Sequence, residues 1–200
     1  EKKIKALEDT MKELNVDIMA IQETRETSNS EFKFQDYCWL TNPEKPTNAR
    51  KATGKGLGFC VRNYMIDSIR YLDGSMPNHG QWILIDVGSR KTLIGNIYLP
   101  SGTRKTKYKE ALAAVKRDRK LYMKRYKPDR CVLVGDFNAH LGLGAADDVI
   151  GPQGPSTELN PHGELLKQWL TSTEQHALNG RTPDSSHPTR APDNEGEDTY

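Results

Sequence analysis

An α/β fold made of two mixed sheets with helices on the outside is predicted by three observations on the sequence. Apolar runs of strand length outnumber helical patterns. Two of them, residues 81–87 and 92–98, are joined by Gly88, Ser89, Arg90 and Lys91, an insert of hairpin length that predicts antiparallel pairing. The order of elements is helix, strand, several antiparallel strands, helix, strand, helix, which suits α+β strand order better than a doubly wound parallel sheet.

The elements follow in turn. Ile4, Leu7, Met11 and Leu14 recur at three and four residues and mark one apolar helix face over residues 2–14, which Asn15 can close. Residues 16–21 are an apolar run that leads to Gln22, Glu23, Thr24 and Arg25. A brief aromatic strand covers 37–40, and 42–56 is a polar loop with prolines and glycines. Strands are predicted over 57–62 and 67–71 with a short turn between them. After the hairpin, Tyr108, Leu112, Val115 and Tyr122 place a helix over about 106–124. A strand at 131–134 enters the stretch VLVGDFNAH, residues 132–140, and 141–159 is a loop rich in Gly and Asp. Asn160 before Pro161 has the form of an N-cap with proline at the first helical position, and Leu165, Leu166, Trp169 and Leu170 supply the buried face that follows. Residues 181–200 carry almost no large apolar side chains until the end and read as a loop or frayed end.

At 200 residues, 28% charged and 35% hydrophobic with a net charge of +2, the chain has the balance of a globular protein and fits one domain, 1–200. No apolar run approaches a membrane span, and the first residues form a charged helical pattern rather than a secretory signal. Cys38, Cys60 and Cys131 are an odd number without metal-ligand spacing, each in an apolar segment. They read as buried free thiols of an intracellular protein, nuclear or cytoplasmic and not secreted. The oligomeric state is not encoded in any pattern found.

Polar residues follow apolar strands abruptly at three places: IQETR at 21–25, GNIYLP at 95–100 and VGDFNAH at 134–140. Strand ends of this kind are where a rigid scaffold converges a site. Glu23 offers a carboxylate suited to a hard divalent cation. Asp136 can ligate metal or hold a water, Asn138 can donate to a developing oxyanion without adding negative charge, and Tyr98 adds a phenolic donor. Alternation along an extended segment predicts Asp136 and Asn138 on one side and Phe137 turned to the core. The alternative is a strand followed by an ordinary Asx-rich turn.

IQETR, GNIYLP, GDFNAH and NPHGELL, in this order and through nearly all of the chain, resemble the exonuclease-endonuclease-phosphatase superfamily, and within it the apurinic/apyrimidinic-type endonuclease domain of LINE-type retrotransposons. The resemblance implies a four-layer α/β sandwich that hydrolyses phosphodiesters with a divalent metal, magnesium or alternatively manganese. It makes Glu23 the metal ligand, Asp136 the residue that activates the attacking water, and Asn138, Tyr98 and Asn160 contacts of the scissile phosphate. Arg25, His140 and His162 are accessory candidates. Where many members read Asn-x-Asn-Gly, this chain has Asn160, Pro161, His162 and Gly163.

The resemblance also implies that the fragment is incomplete at both termini. The family's opening strand with an asparagine would precede Glu1, and its closing aspartate strand and Ser-Asp-His element would follow Tyr200. None of His79, His140, His162, His176 or His187 stands in the latter context. The 200 residues alone are therefore expected to be weakly active or inactive. DNA is the expected partner, with a reverse transcriptase domain in the parent protein. Residues 104–130 carry twelve basic residues against three acidic ones, a face that can contact phosphates or simply be solvated. Two other functions fit less of the sequence: a superfamily phosphoesterase acting on phosphoinositide, sphingomyelin or poly(A), and a non-catalytic interaction protein descended from a retrotransposon.

Overall fold

Helix α1 spans Lys2–Glu13 and buries Met11 completely, as the three-and-four spacing requires. It is closed by Asn15, two residues beyond its end, whose left-handed backbone (φ 51°) turns the chain so that Val16 N–H donates to the Met11 carbonyl at 2.8 Å. The strands that follow are β1 Ile18–Gln22, β2 Glu31–Lys33, β3 Tyr37–Asn42, β4 Leu57–Arg62, β5 Ile69–Leu72, β6 Gly80–Val87 and β7 Arg90–Tyr98. Then come α2 Lys105–Tyr126, β8 Arg130–Asp136 and α3 Pro161–Ser172. The computed structural model describes residues 2–24, 31–33, 35–42, 56–102, 105–142, 149 and 158–178. Two compact units emerge, Glu1–Asn138 and Ala139–Tyr200.

The first unit holds both sheets. Their strand orders are β1-β4-β3-β2, antiparallel throughout, and β5-β6-β7-β8, antiparallel except for the parallel pair β7/β8. Only the second sheet is therefore mixed among the described residues, although both were expected to be. The reason is that a parallel neighbour needs a long crossover, and α2 supplies it for β8. The predicted hairpin is present with Gly80 opposite Ile97 and Val87 opposite Arg90, which shortens its turn to Gly88 and Ser89. The turn predicted before β5 is instead a 3-10 helix over Asn63–Ser68, and β2, three residues long, has too little period to be seen in advance.

Side-chain alternation builds four layers. Phe59, Val61, Ile18, Ala20 and Leu40 of the first sheet pack on Ile83, Ile85 and Ile94 of the second. On the first sheet's other face, Met11 and Leu7 of α1 cover Tyr37, Trp39, Cys60, Met19 and Ile21. On the second sheet's outer face, Tyr122 of α2 meets the buried Trp82 ring edge-on at 5.7 Å. This order of helix, sheet, sheet and helix is the α/β sandwich that the motifs implied. No helix among the described residues is long and apolar enough to cross a membrane.

Two buried amides interrupt the apolar layer between the sheets. Asn96, fully buried on β7, donates from Nδ2 to the carbonyls of Ile21 and Gly58, both at 3.0 Å, and accepts from Gln22 Nε2 at 2.7 Å. Buried Gln81 on β6 donates to the Leu40 carbonyl at 3.2 Å. The two amides tie three strands of one sheet to the other. Replacing Asn96 with Leu, which has the same branching but no polar atom, should strand Gln22 Nε2 and two carbonyls and cost about 2–4 kcal/mol, at 1–3 kcal/mol per buried unpaired group with partial relaxation. Urea unfolding of Asn96→Leu measures this directly, and a loss below about 0.5 kcal/mol would show that the clamp is dispensable.

Candidate active site

Three strand ends of the first unit meet here. Glu23 directly follows β1, and Tyr98 and Asp136 are the last residues of β7 and β8, facing each other in the parallel register. The Tyr98 hydroxyl donates to Glu23 Oε1 at 2.5 Å, a charge-assisted bond from one sheet to the other. Glu23 stands in the left-handed region (φ 56°), so the chain leaves β1 sharply with its carboxylate exposed at the mouth. Burial, then the Glu23 carboxylate and the charge of Asp136, push the Tyr98 phenol up to about 12. Tyr98, protonated at neutral pH like any phenol, therefore stays a donor into more alkaline solution than a free one.

His79 holds the tyrosine from behind. Its carbonyl accepts from Tyr98 N–H at 3.2 Å, and its Nδ1 lies 2.9 Å from the Tyr98 carbonyl. A carbonyl can only accept, so Nδ1 carries the hydrogen. Sequence reasoning found His79 outside the Ser-Asp-His context and gave it no other role; only its pairing beside the hairpin reveals the contact.

The GDFNAH stretch corrects the alternation argument. Strand β8 stops at Asp136, and Asn138 adopts φ 45°. Its N–H donates to Asp136 Oδ1 at 2.9 Å, which is an Asx turn, so the period of two does not extend to Asn138. The Asn138 side chain donates from Nδ2 to the Leu99 carbonyl at 2.8 Å, while Leu99 N–H donates to the Asp136 carbonyl at 2.9 Å. Phe137 is half-buried, and its carbonyl accepts from the buried Tyr108 hydroxyl at 3.1 Å. Gly135 makes this closure sterically possible: its φ is 128°, and a Cβ there would collide with the Ile97 carbonyl.

In the second unit, Asn160 caps α3 as its sequence predicts. Its Oδ1 accepts from Gly163 N–H at 2.7 Å and from His140 N–H at 3.2 Å, and its own N–H donates to the His140 carbonyl at 3.2 Å. Nδ2 of Asn160 makes no hydrogen bond to a described residue, so the amide can cap with one atom and donate with the other. Gly163 presses on the same His140 carbonyl, where a side chain would not fit. His140 is exposed and His162 half-buried. Arg25 lies outside the described residues, as do His187, most of the 42–56 loop and 181–200.

The donors gathered in the first unit are oxygens only. The described residues hold no group of three or more His, Cys, Asp or Glu that would chelate a metal by themselves. A carboxylate with one oxygen held by Tyr98 still suits magnesium, which takes one or two protein carboxylates and keeps several waters. Glu23 fits that ion and not a tetrahedral zinc site.

Comparison with known proteins bears on the family and the fold. The profile of the Endonuclease/Exonuclease/phosphatase family matches residues 1–194. Among solved structures, the human Nocturnin catalytic domain with bound sulfate anion is similar with a TM-score of 0.54 and 14% identity, over 91% of this chain and 67% of that one. At that identity the likeness is one of fold. No curated protein matches the sequence.

Two outcomes follow from the geometry. Gly135→Ala should cost about 2–4 kcal/mol, from overpacking against Ile97 plus left-handed strain, and urea unfolding measures it; a neutral result would contradict the collision. Tyr98 ionises near 10 when unfolded and near 12 when folded, so its contribution is intact below pH 10 and disappears as pH rises through about 12. In Tyr98→Phe the fall in stability across that window should be shallower than in the parent, although Tyr71 and Tyr122, also raised to about 12, still contribute. Unfolding midpoints measured from neutral to alkaline pH test this, and parallel curves would refute it.

Proposed function

The chain belongs to the endonuclease/exonuclease/phosphatase family, and we propose that it is a divalent-metal-dependent DNA endonuclease of the kind carried by LINE-type retrotransposons. Phosphoester hydrolysis is the chemistry of that family. The observation that carries the reading is the 2.5 Å bond between Tyr98 and Glu23, with Asp136 opposite Tyr98 in the strand register, so that three distant motifs share one mouth.

Each residue has a role that its surroundings suit. Glu23 would hold magnesium, or manganese, and the ion would supply charge neutralisation at the phosphate. Asp136 keeps Oδ1 on the Asn138 amide, which presents Oδ2 to orient a water and take up its proton. Tyr98, a neutral phenol, would turn its one hydrogen from Glu23 to a phosphate oxygen when substrate and ion arrive, and its raised pKa keeps it protonated well above neutral pH. Asn138 is fixed through Leu99 before substrate arrives, so little reorganisation is needed on binding. Asn160 keeps the phosphate-binding role its motif position implies, with Nδ2 as the donor. The cut would leave a 3′-hydroxyl to prime a reverse transcriptase domain of the same parent protein, which places the reaction inside the cell, in nucleus or cytoplasm.

Nicking of supercoiled plasmid in magnesium by the whole parent protein tests the assignment, beside the 200 residues alone, for which weak or no activity is expected. Activity should vanish with chelator and drop about a hundred- to ten-thousandfold in Asp136→Ala, the usual range for a lost general base. Glu23→Gln should need more magnesium for any remaining rate. Hydrolysis of a phosphoinositide or of poly(A) without plasmid nicking would move the chain to another branch of the family.

A further inference from the structure

We infer that the solvent face of α2 is a docking rail for the phosphate backbone of duplex nucleic acid that is held but not cut. Residues 104–130 contain twelve basic and three acidic residues, which leaves seventeen basic and twenty-four acidic in the rest of the chain. The near-zero total therefore hides a segregated charge. Tyr108, Ala111, Leu112, Val115 and Tyr122 turn one side of α2 inward. At 100° per residue Lys109, Lys120 and Lys124 then share the opposite side, and all three are exposed. Lys109 and Lys124 are about 22 Å apart along the axis, a span of six or seven phosphates on one strand at about 3.4 Å each.

This helix breaks local rules that stable helices keep. Its first turn has no acidic residue and holds Lys105 and Lys107, against the sign favoured by the helix dipole. Lys105 and Lys109, Lys116 and Lys120, and Lys120 and Lys124 are like-charge neighbours four apart, each unfavourable by about 0.2–0.5 kcal/mol. Asp118 does not offset them: it is buried, and its Oδ2 accepts from Ser75 N–H at 2.8 Å. Lys109, Lys120 and Lys124 form no ion pair with a described carboxylate. Lys124 and Arg125 in the last turn do suit the dipole, so the unfavourable charges lie in the first turn and in the lysine pairs four apart, and a polyanion along the face would relieve them. No aromatic side chain stands on the face, which favours a backbone contact over base stacking and thus duplex over single strand.

The rail begins near the candidate site, where Tyr108 holds the Phe137 carbonyl, and α2 then runs back antiparallel to β7 and β8. A duplex on it leads away from the cutting mouth and serves as an anchor. The inference rests on the nuclease reading for the identity of the polyanion, but its test requires no cleavage.

Duplex binding by the Asp136→Ala protein in chelator, followed by fluorescence anisotropy over a salt series, decides it. Lys109→Gln, Lys120→Gln and Lys124→Gln together should flatten the slope of log affinity against log salt by between about two and three, at about 0.9 per phosphate contact. A control of equal charge, Lys5→Gln, Arg90→Gln and Lys91→Gln, should flatten it by less than about one. The rail variant should melt no lower than the parent without DNA, and the matching Lys→Arg triple should retain the full slope. Equal slopes for rail variant and control, or tighter binding to single strands than to duplex, would overturn the rail. No nicking by the parent protein with Asp136 intact, while the slope change is present, would remove the enzyme assignment and leave the surface.

Discussion

The buried amide of Asn96 is the constraint on which the rest of the first unit depends. Two apolar sheet faces pack through area alone and would tolerate small slides past one another. Hydrogen bonds from one side chain to carbonyls on β1 and β4, with Gln22 bonded in return, permit one register only. Gln22 precedes Glu23 and Asn96 lies two residues before Tyr98, so the interaction that aligns the layers also brings the Tyr98 hydroxyl to the Glu23 carboxylate.

From that alignment the site is assembled mostly by backbone. Gly135 lets β8 close against β7, Leu99 and Asp136 exchange a main-chain bond, and the Asx turn at Asp136 sets Asn138. His79 and Tyr108 anchor the carbonyls of Tyr98 and Phe137 from behind. The polar groups at the mouth thus sit on a frame with few rotatable parts, the arrangement that electrostatic catalysis requires. The basic face of α2 follows the opposite rule, with long mobile side chains whose charges act at a distance and through salt-dependent contact.

Much of this was legible in the sequence because it is periodic. The apolar runs of β4, β6 and β7 and the helical spacing of Met11, Tyr108, Leu112 and Val115 report burial directly, and the N-cap at Asn160 and the closing Asn15 carry their own chemistry. What escaped was long-range. Asn96 lies inside a motif that reads as a strand end, and nothing near it in sequence reveals that its partners are Gln22 and Gly58. His79 is visible as a contact of Tyr98 only once the hairpin register is known. The alternation drawn through Asp136 and Asn138 failed because it assumed that the strand continued past the residue whose side chain ends it.

The packing between the sheets has a further consequence. Glu23 belongs to one sheet and Asp136 to the other, so the width of the mouth is the separation of two layers, and that separation is set by Ile18, Ala20, Phe59, Ile83 and Ile94. Such side chains touch neither substrate nor ion, yet they work as the shims of a gauge. Exchanging a bulky shim for a slim one draws the two carboxylates together and would alter which cation or phosphate geometry the proposed site could accept. Drift in a hidden apolar layer would then retune the chemistry of a family member while every residue of its visible site stays the same.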